Sequence, residues 1–215
     1  MKKIIILFTV CSLFGSWASQ AKSLITVVDQ QGRPLADAVI EIQSTASDAD
    51  HSSSSDYVMD QVDKSFDPHV LLVRRNAMVR FPNSDDIRHH VYSFSQAKPF
   101  QLKLYSGQPK EPVLFDNNGV VVLGCNIHDA MVGYVYVHEH PAYKTDAQGE
   151  VWLDNTLTQE ESIWLWHPRA KVGVEQRQSI AVSSLTATEK GYKVVLDVTP
   201  AQSRDSFEDV FSHAQ

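Results

Sequence analysis

Cysteine is almost missing from this chain: 215 residues contain two, Cys11 and Cys125. Cys11 falls in an apolar stretch at the N-terminus, so a mature form without that stretch keeps Cys125 alone. A single thiol excludes an internal disulfide, excludes c-type haem attachment through Cys-x-x-Cys-His, and excludes a structural zinc site built on several cysteines. It also needs a reason of its own, either pairing between chains or a special thiol. Positive charge is in short supply too. The formal net charge is −7, which leaves no basic footprint for nucleic acid. Long apolar runs are absent: a membrane-spanning helix needs about 20 such residues, and no stretch provides them. Nor does any segment carry the sustained 3.6-residue periodicity of a long helix.

What the N-terminus has is the pattern of a signal peptide over residues 1–21. Met1-Lys2-Lys3 gives a positive start, residues 4–14 an apolar core, and Ser19 and Ala21 occupy the −3 and −1 positions of a cleavage site. Export to the periplasm is therefore expected, with no membrane span left after removal of the signal. Cys11 lacks the small-residue context of a lipoprotein site and is read as incidental.

The rest is dominated by short β-rich runs separated by turn chemistry. Two such runs in residues 24–42 flank Asp29-Gln30-Gln31-Gly32, and Ile40-Glu41-Ile42 alternates as a half-buried strand does. Residues 44–56 are mostly Ser, Asp and Ala and read as a linker. A second β-rich block occupies residues 57–140. Strands are expected near 70–73, 78–81, 89–94 and 100–105, with loops at Pro82-Asn83-Ser84-Asp85-Asp86 and Asp116-Asn117-Asn118-Gly119. Residues 141–200 return to strands near 151–153, 163–166, 179–183 and 192–198. Residues 201–215 read as a tail in which Phe207, Val210 and Phe211 allow one short helix. Short strands and frequent turns point to an all-β sandwich or barrel, and the length allows one or two domains.

The chemistry concentrates in Gly124-Cys125-Asn126-Ile127-His128-Asp129-Ala130-Met131, set between apolar runs at 120–123 and 132–137. Read as the turn of a hairpin, it crowds a thiolate, an imidazole and a thioether into seven residues. Those are ligand types of a blue-copper site, in which two His and one Cys lie around the metal and a Met sits axially at longer range. The missing second imidazole is offered by His89-His90. Successive strand residues face opposite ways, so only one of that pair reaches the metal. A bland alternative is a packed free Cys. Zinc held by two His and one Cys with an open position is another, against which the placed Met argues. His138 and His140 alternate on one strand and are read as solvated. His51, His69, His167 and His213 carry no partner pattern, and Trp152, Trp164 and Trp166 read as core or surface aromatics.

Two resemblances follow from these residues. Phe81-Pro82-Asn83-x5-His89-His90-Val91 together with Cys125-x2-His128-x2-Met131 resembles a cupredoxin of the plastocyanin and amicyanin kind over roughly residues 57–138. That resemblance implies one type 1 copper per chain, held by His89, Cys125, His128 and Met131. Matching on Val91 makes His89 the ligand and puts His90 where the family has Asn. Val27-x-Asp29-x-x-Gly32-x-Pro34-Leu35-x-x-Ala38-Val39 and Thr145-Asp146-x-x-Gly149-x-x-x-Leu153 resemble the start and middle of a carboxypeptidase regulatory-like sandwich. The expected fold is thus a Greek-key cupredoxin sandwich (57–140) inserted into a smaller regulatory-like β-sandwich (22–43 and 141–200). The whole arrangement is similar to exported bacterial proteins called methylamine utilisation protein, a label that does not by itself establish a role in methylamine metabolism.

The expected function is periplasmic one-electron transfer with an unidentified redox partner protein and no substrate turned over, so no enzyme. The alternatives are a copper storage, delivery or sensing protein using the same ligands, and a β-rich binding or scaffold module.

Overall fold

In a computed structural model, residues 22–43, 57–154 and 156–200 are described; the segments read above as a signal peptide (1–21), a linker (44–56) and a tail (201–215) lie outside the described residues. Among the described residues the chain is all-β, with one short 3-10 turn at Val182–Ser184.

The chain opens with β1 (Ser23–Asp29) and β2 (Val39–Gln43). Ten strands follow: β3 (Tyr57–Val58), β4 (Asp60–Val62), β5 (Ser65–Asp67), β6 (Val70–Arg74), β7 (Ala77–Arg80), β8 (His89–Ser93), β9 (Phe100–Tyr105), β10 (Val113–Phe115), β11 (Gly119–Cys125) and β12 (His128–His138). The last six are β13 (Ala142–Lys144), β14 (Glu150–Leu153), β15 (Ser162–Trp166), β16 (Gln178–Ala181), β17 (Thr186–Thr188) and β18 (Gly191–Leu196). The strand expected at 179–183 stops at Ala181, where Val182 turns into the 3-10 segment and buries its side chain.

Pairing sorts the strands into two blocks. The outer block holds the sheets β14-β1-β18-β17 and β13-β2-β15-β16. Its two N-terminal strands therefore pair only with strands after residue 141. Six of the seven residues of β1 are buried, with Leu24, Ile25, Val27 and Val28 supplying its apolar part, as suits a central strand flanked by β14 and β18. The β13–β14 turn meets β1 so closely that a Cβ on Gly149 would lie 2.5 Å from the Val27 carbonyl oxygen, and its φ of +69° also favours glycine. Ile25, Val27, Leu35, Ile40, Leu153, Ile163 and Leu165 anchor the core between the two sheets.

The inner block holds β10-β7-β3 facing β6-β12-β11-β8-β9, with the β4–β5 hairpin across one end. Its axis is β12, eleven residues long, antiparallel to β11 and parallel to β6. Period-2 alternation sends Gly133, Val135 and Val137 inward against Phe66, Val73, Phe81 and Phe115. Tyr134 and Tyr136 point the other way, where Trp166 of the outer block packs on both at ring distances of 5.5 and 5.8 Å. Val39, Val70 and Val120 complete this seam. Trp166 is thus a core residue, and burying so large a side chain contributes about 1.5–3 kcal/mol or more to holding the blocks together.

Glu41 locks the seam. Its carboxylate is 1% exposed and accepts from Tyr136 Oη at 2.8 Å, from the Glu139 and His140 backbone N–H groups at 3.0 and 3.1 Å, and from Arg177 at 3.1 Å. The reading of His138 as solvated is corrected here. β12 carries it under the seam, where it is buried and its Nδ1 lies 2.8 Å from the His140 carbonyl oxygen.

Candidate metal centre

Three strand ends meet at the far end of the inner block: His89 opens β8, Cys125 closes β11 and His128 opens β12. The Cys125 Sγ lies 3.7 Å from His89 Nδ1 and 3.9 Å from His128 Nδ1. The two imidazole centroids are 5.0 Å apart. Among the described residues these three are the cluster whose donor atoms lie close enough to share one ion, all within 4.8 Å of one another.

The donor set fits a metal. An ion about 2.3 Å from sulfur and about 2.0 Å from nitrogen, with ligands roughly 120° apart, sets S···N near ~3.7 Å. Both measured separations are at or just above that value, with Nδ1 of each ring turned to the thiol. Soft thiolate with two imidazoles suits copper, and a nearby thioether fits the blue-copper pattern.

Local sequence explains the convergence. Gly124 pairs with Val132, but Cys125 pairs with His128, so Asp129, Ala130 and Met131 are additional residues on β12. This bulge throws Asp129 and Ala130 to solvent and returns Met131 to the interior, 1% exposed and in one apolar cluster with Cys125. Gly124 lets the chain pass under Tyr92: a Cβ there would come within 2.8 Å of the ring. On β8 the pairing slips between His89 and Val91. His89 and Val91 face inward, both fully buried. His90 points away, stacks on Tyr92 and lies 2.8 Å from Gln101 Nε2. The structure thus sets His89, not His90, beside Cys125.

The electrostatics keep the His128 imidazole ready to coordinate. His128 has its pKa lowered, first by burial and then by the charges of His89 and Lys64, with Asp85 opposing. A neutral imidazole is the coordinating form. His89 is held from behind: its Nε2 is 2.6 Å from Asp85 Oδ2. Burial raises the Asp85 pKa, but hydrogen bonds from the Lys64 N–H, from His89 and from the Asp63 N–H outweigh it and the net direction is down. Beneath the site, Tyr105 is pushed up to about 12, chiefly by burial, with Asp60 and Cys125 adding to the rise and Gln61 opposing it. Its hydroxyl donates to the Phe81 carbonyl oxygen at 2.7 Å.

His128 is partly exposed and Ile127 beside it is 51% exposed, so one imidazole links the buried thiol to the surface. His69 and His167 stand elsewhere. His69 meets Tyr134 edge-on, and His167 Nε2 lies 3.1 Å from the Ala36 carbonyl oxygen. His51 and His213 lie outside the described residues. Asp85 and Tyr105 are the site residues that the sequence reading missed. The spacing of Asp85 four residues before His89 was the one available signal.

No family model matches the chain, and no curated protein matches it. Solved structures do resemble part of it. A Cu-containing nitrite reductase (NirK) from Thermus scotoductus SA-01 is 25% identical, with a TM-score of 0.37 over 40% of this chain; the match spans only 23% of that protein's length. A novel purple cupredoxin from Nitrosopumilus maritimus is 20% identical, with a TM-score of 0.35, over 39% of this chain and all of its own. An amicyanin mutant in its oxidized form is 19% identical, with a TM-score of 0.36, over 46% of this chain and 98% of its own. Each likeness covers less than half of the chain, and the chemistry of the site rests on its own side chains.

Proposed function

We propose that this protein is an exported one-electron carrier holding one type 1 copper ion, with His89, Cys125 and His128 as the strong ligands and Met131 as the axial one. The observation that supports it is the convergence of His89 Nδ1, Cys125 Sγ and His128 Nδ1 beside the buried Met131. Copper in such a site supplies a one-electron couple. The protein's own part is to keep the ligands nearly fixed between the two states: Cys125 and His128 stand on the two strands of one bulged hairpin, and His89 on β8, which pairs with β11. His89 and Cys125 are sealed from water, which disfavours exchange of the ion and access by small oxidants. His128 reaches the surface and gives an electron a short way out to a partner protein. Nothing in this role requires a bound substrate, and on this reading the protein is not an enzyme. The outer strands are read as a carboxypeptidase regulatory-like module, on the motifs that begin at Val27 and Thr145. Export follows from the pattern of residues 1–21, and among the described residues no helix is long and apolar enough to cross a membrane.

The visible and EPR spectra of protein loaded with Cu(II) test this. An intense thiolate-to-copper band with a narrow copper hyperfine pattern is expected, and a colourless copper-loaded protein overturns the reading. The partial exposure of His128 favours one competitor, a protein that stores or delivers the ion. Repeated reduction and reoxidation against a copper chelator separates the two, since a carrier keeps its copper and a delivery protein loses it.

A further inference from the structure

Behind His89 stands an arrangement that the ligand set alone does not need. Asp85 sits in the loop between β7 and β8, four residues before His89. Its Oδ1 accepts the Asp63 N–H at 2.7 Å, and its Oδ2 accepts the Lys64 N–H at 3.0 Å while facing His89 Nε2 at 2.6 Å. Asp63 and Lys64 form the two-residue turn of the β4–β5 hairpin, and both have positive φ, +50° and +57°. Such turns favour Asn-Gly or Asp-Gly because both central residues must adopt that conformation. Here a Lys occupies the second place, and both of the turn's N–H groups are aimed at the carboxylate. The loop itself is pinned by Asn83, whose Nδ2 donates to the Ile87 and Tyr105 carbonyl oxygens at 2.9 and 3.0 Å, and whose Oδ1 accepts the Asp85 N–H at 3.1 Å. Three segments distant in sequence thus converge to fix one carboxylate against one imidazole.

We propose that Asp85 is a positioning residue of the metal centre, one that holds His89 with its proton on Nε2 and lowers the reduction potential of copper bound there. The proposal rests on the copper reading above. Nδ1 faces the thiol, so Nδ1 is the coordinating atom and the ring proton belongs on Nε2, donated to Asp85. A carboxylate behind a coordinating imidazole makes it a stronger donor and fixes its orientation. The fixed negative charge favours the doubly charged ion over the singly charged one. Removing the charge therefore raises the potential.

Wild type, Asp85→Asn and Asp85→Glu, each loaded with Cu(II), are compared by redox titration and by competition for Cu(I) and Cu(II). Asp85→Asn is expected to stay coloured and to lose about tenfold in Cu(II) affinity relative to Cu(I), which for a one-electron couple is a rise of about 59 mV. Asp85→Glu keeps the charge and is expected to recover most of that shift. No shift in Asp85→Asn, or equal shifts in both variants, overturns the proposal and leaves the electron-transfer reading standing. Asn also gives up a backbone acceptor, so a measurement on wild type guards against a variant that does not fold. In the Cu(I)-loaded protein, nitrogen-15 NMR is expected to show His89 with a slowly exchanging proton on Nε2. An unprotonated Nε2 overturns the proposal, and a wild type that takes up no copper overturns both it and the function.

Discussion

The seam between the blocks and the metal end of the inner block are built on the same device. Each has a carboxylate held by two backbone N–H groups: Glu41 by those of Glu139 and His140, Asp85 by those of Asp63 and Lys64. They differ in what the carboxylate faces next. Glu41 faces a guanidinium and a phenol, Arg177 and Tyr136, and the result is a latch. Asp85 faces an imidazole whose other nitrogen is turned to a thiol, and the result is a handle on chemistry. A buried carboxylate is costly and is kept only where it is paired, but pairing alone does not say whether it serves stability or reactivity. The atom beyond the partner decides that.

The sharpest way to break this comparison is a crossed pair of substitutions. Cys125→Ser is expected to abolish the visible band of copper-loaded protein completely while leaving the unfolding midpoint of the metal-free protein close to wild type, since one oxygen replaces one sulfur. Glu41→Ala is expected to do the reverse. It strips Arg177 and Tyr136 of their partner and leaves two backbone N–H groups unpaired, a loss of about 3 kcal/mol, the lower end of the usual range because Arg177 is partly exposed. Denaturant titration followed by tryptophan fluorescence measures that loss, and the colour at full copper loading is expected to be unchanged. A bleached Glu41→Ala protein shows the two ends to be one cooperative unit after all.

Acid separates the regions more gently. His167, in the outer block, has its pKa lowered to about 4, first by burial and then by Arg169, with the Ala36 carbonyl oxygen and Asp37 opposing. The unfolded chain binds this proton from about pH 6.5 downward, whereas the folded chain stays neutral until about 4. The unfolded state therefore carries more protons across that window. Stability is fully present above about pH 6.5, and about 2 kcal/mol of it is lost on going from about pH 7.5 to about pH 5. His167→Gln is expected to flatten this slope in metal-free protein, measured as the denaturant midpoint at the two pH values.

The smallest effects belong to the two residues flanking the strong ligands. Met131→Gln is expected to leave a coloured, copper-loaded protein with a shifted potential, because axial identity tunes a blue site more than it decides binding. His90→Ala is expected to move the band slightly and keep the copper, whereas His89→Ala removes the band. The opposite order for the two histidines contradicts the pairing slip seen on β8.

The Cys125–Met131 loop was legible because its spacing in sequence is its spacing in space. Strand alternation said that only one of His89 and His90 reaches the metal, and the choice of His89 came from the family resemblance, matched on Val91. The Asp85 clamp was not legible. Its donors come from a turn some twenty residues away in sequence, and Asp63-Lys64 does not look like a two-residue hairpin turn. The seam escaped notice for a different reason. Glu41 sits in an alternating strand where a charge normally faces solvent, and only the arrival of Trp166 and Arg177 from the last third of the chain makes that face interior. His138 was misjudged on the same ground. Local alternation gives the side of the sheet, but it cannot say that a second layer covers that side.

The ring of Tyr92 against Gly124 implies a rule for how this protein can change over time. A Cβ at 124 would sit 2.8 Å from the Tyr92 ring, so any side chain at this position requires that ring to shift. A side chain beside Cys125 is accommodated by a displaced Tyr92 ring or by a smaller residue in place of Tyr92. Such a replacement also removes the neighbour on which both His90 and the largely exposed Phe94 lean, at ring distances of 5.6 and 5.2 Å. Gly124, Tyr92, His90 and Phe94 are thus coupled through one ring, and a change at any of them bears on the packing of the other three.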